Sequence, residues 1–131
     1  IALPVGTAKT SFIDVRDIAA VAVCALINPE HRDKSYTLTG QEALDYYQVA
    51  DKLSDALQRP IRYTNPSVPM FVQRQLRNGH KLGYALVVAA LYTITRMGNA
   101  KEVTQDVEAV LGRSPISFDT FVQDYQMVWQ S

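Results

Sequence analysis

The chain has 131 residues, 47% of them hydrophobic and 20% charged, a composition that suits one globular domain able to bury a core. Thirteen basic residues balance thirteen acidic ones, which argues against nucleic acid or an anionic membrane as a partner and leaves a homo-oligomer possible. The single cysteine excludes an internal disulfide, and a reducing cytoplasm is the expected location.

The chain opens with two short extended runs, "IALP" and "TSFI", separated by a glycine-containing turn that would allow a small hairpin. The second run rolls directly into an apolar helix at Asp14-Val15-Arg16-Asp17. Ile18, Ala22, Ala25 and Leu26 share one face of that helix, with Val15 and Ala19 beside it, and Asn28-Pro29 should stop it. "SYTLTG", residues 35–40, has strand composition and ends at Gly40. Asp45 and Gln48 then have capping-box spacing, followed by a stripe of Tyr46, Val49, Ala50, Leu53, Ala56 and Leu57. "IRYT" is a further short strand candidate.

From Ser67 the pattern is helical. Ser67 and Pro69 suit a helix start and Asn78-Gly79 a stop. A strongly apolar helix runs from about Leu82 to Met97 and ends at Gly98. Its segment "YALVVAALYTIT" is shorter than the ~18–20 residues that span a bilayer, so a buried core helix is expected. Thr104 should start a short helix closed by Gly112. Ser117 should start the last, with Phe118, Phe121, Val122, Tyr125 and Val128 on its buried side.

Little in this pattern carries chemistry. Neither G-x-G-x-x-G nor a P-loop occurs, and Gly79-His80-Lys81-Leu82-Gly83 lacks the preceding strand that a phosphate cradle needs. His31 and His80 lie far apart in polar connectors and read as solvated loop histidines; no ligand spacing suggests a metal. Cys24, within "VAVCALI", reads as a buried inert thiol. None of the seven tyrosines has a lysine four residues later to lower its pKa; Tyr92 has Arg96 there, a poor substitute for a compact ammonium. Asp14 fits an N-cap and Asp17 the N3 position, where a carboxylate meets the positive end of the helix. That structural role needs no substrate, although beside a cofactor the same pair could hold a pocket loop.

Three stretches nevertheless carry a resemblance: "SFIDVRDIAAVAVCAL", "KSYTLTGQEALDYYQVADKLSDALQRPIRY" and "VTQDVEAVLGRSPISFDTFVQDY". In this order they resemble the C-terminal half of NmrA-like proteins, atypical short-chain dehydrogenase/reductase relatives that include quinone and azo-dye reductases and redox-sensing regulators. The resemblance implies an α/β fold, the C-terminal portion of a Rossmann-like protein, with few short strands followed by a helical tail. It implies that residues 1–131 form the substrate-side region of an NAD(P)H-dependent oxidoreductase acting on a small molecule. The cofactor-binding N-terminal half would lie before Ile1, so that this chain alone is inactive and holds no NAD(P). No catalytic, cofactor-binding or metal residue transfers from a motif. Phe12, Tyr84 and Met97 are the candidate substrate-pocket residues, while Asp14, Asp17 and Gly40 look architectural. A redox-sensing regulator that binds NAD(P) without turnover and a helical interaction module are the alternatives.

Overall fold

The computed structural model describes residues 1–130. The chain divides into two units. Ile1–Thr10 and Leu44–Lys101 form the first, and Ser11–Ala43 with the residues from Glu102 onward form the second. Strands β1 (Thr10–Ser11) and β2 (Ala43–Leu44) pair as a two-stranded ladder and lie where the chain passes from one unit to the other.

In the first unit the opening "IALP" does not form a hairpin with "TSFI". It runs parallel to the "IRYT" segment, with an Ala2–Thr64 bridge and Thr64 N–H donating to the Ile1 carbonyl at 2.8 Å. The intervening residues curl instead of reversing tightly, and Gly6 supplies a φ of +66° for that curl. Helix α2 (Tyr46–Leu57) starts with the expected capping box. The Asp45 carboxylate accepts the Tyr47 and Gln48 amides, and the Gln48 side chain accepts the Asp45 amide. Val49, Ala50 and Leu57 of the expected stripe are buried.

Helix α3 (Val68–Arg77) carries Pro69 in its first turn and ends at Asn78, ahead of Gly79 at φ +86°. It packs on α4 (Leu82–Ile94), where Phe71 meets Tyr92 edge-on with ring centroids 5.5 Å apart. The expectation that α4 is a buried core helix does not hold. Only Ala85 and Ala89 are buried, and Leu86, Val87 and Leu91 are each more than half exposed. Its composition is apolar on every side, but its small alanines are what it buries, and the bulky residues stand on the remaining surface. The last turn widens into a π-helical turn, Thr95–Asn99, that breaks at Gly98 with φ +88°. Among the described residues no helix is long and apolar enough to cross a membrane.

The second unit joins α1 (Val15–Ile27) to α5 (Asp106–Leu111), with Val21 and Val107 buried, and adds α6 (Phe118–Gln130). The apolar face read from the first helix is not the one it buries: Val15, Ile18 and Leu26 are exposed, and its buried residues are Asp17 and Val21. "SYTLTG" is likewise not a paired strand. With no ladder along it among the described residues, side chains take its backbone groups. The Asp106 carboxylate accepts the Thr37 amide at 2.6 Å, and the Thr104 hydroxyl donates to the Thr37 carbonyl. That use of Thr104 goes with α5 starting two residues later than its sequence position suggests. Gly112, in the left-handed region, closes α5 as expected. Ser117 Oγ accepts the Thr120 amide at the start of α6; Val122 is buried there, but Val128 is 65% exposed and leaves the expected stripe.

Candidate functional site

Asp14 is the N-cap of α1, and its carboxylate accepts the Arg16 amide at 2.8 Å. The Arg16 guanidinium returns to the same carboxylate through Nε (3.0 Å) and Nη2 (2.8 Å), and reaches Asp124 with Nη1 at 2.7 Å. This Arg16 contact holds the Asp14 carboxyl below the usual carboxylate range, against the opposing effect of burial. The same pairing raises the Arg16 pKa, and the cation also sits over the Tyr125 ring. Asp17, fully buried, has two separate partners: Oδ2 accepts the Ile116 amide at 2.7 Å, and Oδ1 lies 2.8 Å from Arg113 Nη2. The second contact is one of charge, since it lacks the alignment of a hydrogen bond. Both aspartates are therefore occupied by the protein's own donors.

Gly40 belongs to the same frame. A Cβ there would lie 1.9 Å from the Phe12 carbonyl oxygen, so the chain can approach this closely only without a side chain. Phe12 itself packs against Phe118 at 5.6 Å and lines a small cavity of about 130 Å³ with Ile13, Asp14, Ile116 and Phe121. The tie between His31 and its neighbours corrects its reading as a solvated loop residue. Nδ1 is 2.8 Å from the Tyr36 hydroxyl, and Nε2 is 3.6 Å from Cys24 Sγ, itself only half-buried. His80 is exposed, with its ring 4.9 Å from that of Tyr84. No group of His, Cys, Asp and Glu suited to a metal occurs among the described residues.

The larger cavity lies within the first unit. It is a cleft of about 660 Å³ formed by residues 5–9, Asn65 and the segment from Arg96 to Lys101. Met97 is one of its walls and is 75% exposed; Tyr84 does not line it, and Phe12 belongs to the other unit. Of the three candidate pocket residues, this cleft includes Met97. Sequence reading missed Lys9, Arg96 and Lys101 as a set. The available signal was that each lies two or three residues from Gly6 or Gly98, the two positions where the cleft backbone turns with positive φ.

An aromatic cluster belongs to the same unit. Tyr46 stacks on Tyr63, and Tyr47 meets Tyr63 edge-on at 4.8 Å. The Tyr63 hydroxyl donates to the Leu3 carbonyl at 2.8 Å. Burial pushes the Tyr46, Tyr63 and Tyr92 phenols up, so none is activated toward ionisation.

No protein-family model matches the chain. The NAD(P)H azoreductase of Xenophilus azovorans is 36% identical over 121 residues, covering 92% of this chain and 42% of that protein. The uncharacterized oxidoreductase YesF of Bacillus subtilis (strain 168) is 32% identical over 126 residues, covering 96% and 44%. The NADPH-dependent quinone oxidoreductase of Escherichia coli, solved in complex with NADPH, matches with a TM-score of 0.86 at 21% identity, over 95% of this chain and 44% of that one. The chain is similar to the C-terminal part of NmrA-like, atypical short-chain dehydrogenase/reductase proteins. It spans less than half the length of these relatives.

The dinucleotide of such NmrA-like reductases needs uncovered amides at a glycine-rich helix start. Two of the described helix starts do not meet that need. The starts of α1 and α2 are closed by the Asp14 and Asp45 carboxylates, which take the amides and repel phosphate.

Proposed function

We propose that this chain is the acceptor-binding part of an NAD(P)H-dependent oxidoreductase and is inactive without a dinucleotide-binding half. A quinone or azo-type molecule is the acceptor this reading favours, in keeping with the names of the relatives. The observation that supports it is the roomy first-unit cleft; the Asp14 and Asp45 carboxylates that take the amides at the starts of α1 and α2 are consistent with it. In the whole protein the cofactor would supply hydride, and the chain's own residues would bind and orient the acceptor, with Met97 as its apolar contact. The exposed apolar face of α1 supports a further covering element: Leu26 is 86% exposed and Val15 66%. We assign that cover to the dinucleotide-binding half.

The test joins this chain to a dinucleotide-binding half and follows NAD(P)H oxidation with a soluble quinone. Steady oxidation is expected from the joined protein and none from the 131-residue chain. Micromolar NADPH binding to the chain alone, measured by calorimetry, would overturn the reading. Tight binding by the joined protein without turnover would favour a redox sensor.

A further inference from the structure

We propose that the first-unit cleft holds its small molecule by an oxyanion substituent (a phosphate, sulfonate or carboxylate) carried on an apolar frame, an inference that rests on the acceptor-binding reading above. Among the described residues three cations line the cleft, Lys9, Arg96 and Lys101, and no carboxylate does. None of the three makes an ion pair among the described residues, although the chain as a whole has as many acidic as basic side chains. Asn65 adds a further donor. Its Oδ1 is taken by the Gly6 amide at 3.1 Å, which leaves the Nδ2 carboxamide NH2 to donate. Gly6 turns with a φ of +66°, which favours glycine, and the Arg96 Nε lies beside it, 3.8 Å from where a Cβ would stand. A lining whose charged groups are all donors selects an acceptor-rich group, and a guanidinium among them matches an oxyanion through paired hydrogen bonds. Val5, Ala8 and Met97 form the apolar side of the same cleft, so a bare ion would leave that side unused.

Two sources could present this chemistry, an acceptor molecule or the phosphate of a dinucleotide, and the apolar wall favours the first. Amide chemical shifts of the full 131-residue chain separate them, with phenyl phosphate, inorganic phosphate, benzyl alcohol and adenosine 2′,5′-bisphosphate as probes. Phenyl phosphate should give saturable shifts at Gly6, Thr7 and Gly98, bind several-fold tighter than inorganic phosphate, and weaken markedly at ~0.5 M salt. Benzyl alcohol should produce none of these shifts. Arg96→Gln should weaken phenyl phosphate about tenfold, and Lys9→Gln or Lys101→Gln less. All three are exposed, so the variants should keep the native spectrum elsewhere. Equal binding of phenyl and inorganic phosphate, or unaltered binding in Arg96→Gln, would overturn the proposal. Tighter binding of the bisphosphate on the same residues would assign the cleft to a cofactor and overturn it too. No hydride transfer enters this experiment, so its failure leaves the oxidation test of the parent reading intact.

Discussion

Two sets of cations, one in each unit, are used in opposite ways. In the second, Arg16 and Arg113 each meet a buried aspartate, and those aspartates also hold backbone amides in place. In the first, Lys9, Arg96 and Lys101 line a cleft with no ion pair among the described residues. Paired charge fixes the start of a helix and the segment leading to α6. Unpaired charge is left for something the chain does not contain. Equal numbers of acidic and basic residues conceal this, because net neutrality says nothing of how charges are apportioned within a fold.

If the second unit is the rigid partner of this comparison, substitutions there should cost the most stability. Gly40→Ala places a methyl group where the Phe12 carbonyl stands, and the backbone must move to admit it. A loss of about 3 kcal/mol is expected in urea unfolding, the scale of an overpacked interior. A change below about 0.5 kcal/mol would show that the approach of residues 12 and 40 is loose. Asp17→Ala comes next. It strands the half-buried Ile116 amide and frees Arg113, but Arg113 is 47% exposed and water can take up its charge. The expected loss is about 2 kcal/mol, chiefly the missing charge-assisted hydrogen bond.

Asp14 sharpens the comparison through pH. Its carboxyl is held below its ordinary value first by the Arg16 hydrogen bonds. The stability it contributes is therefore fully present above the unfolded value of about 3.9 and is lost as pH falls through the lower folded value. Asp14→Asn retains an N-cap oxygen but removes the titrating charge, so acid unfolding should become shallower while the helix start persists. Asp14→Ala removes both, and about 1 kcal/mol should be lost at neutral pH as well.

Much of the fold was legible because it is local. The capping box at Asp45 and Gln48, the N-cap at Asp14, the stops at Gly79 and Gly112 and the start at Ser117 all depend on neighbours a few residues away. What failed depends on partners distant in sequence. Hydropathy made α4 a core helix, but composition cannot say how many neighbours a helix has, and only its alanines are covered. "SYTLTG" has strand composition, yet distant residues such as Asp106 and Thr104 satisfy its backbone groups. The cleft was illegible for the same reason: its cations lie at positions 9, 96 and 101 and converge only after the chain folds. Met97 was named from sequence and does line it, whereas Phe12 and Tyr84 lie elsewhere.

The smallest effect on stability is expected where the effect on binding is largest. Lys9, Arg96 and Lys101 are exposed and make no ion pair among the described residues, so replacing each by glutamine removes no paired charge. Each variant should unfold within about 0.5 kcal/mol of the parent chain, the range of surface substitutions. Removing like charges from one cleft also relieves their mutual repulsion, so any change at low salt should be toward greater stability and should fade as salt is added. A loss of stability comparable to that of Asp17→Ala would mean that these cations hold the first unit together as Arg113 helps hold the second. The contrast between charge used for folding and charge kept for a ligand would then fail.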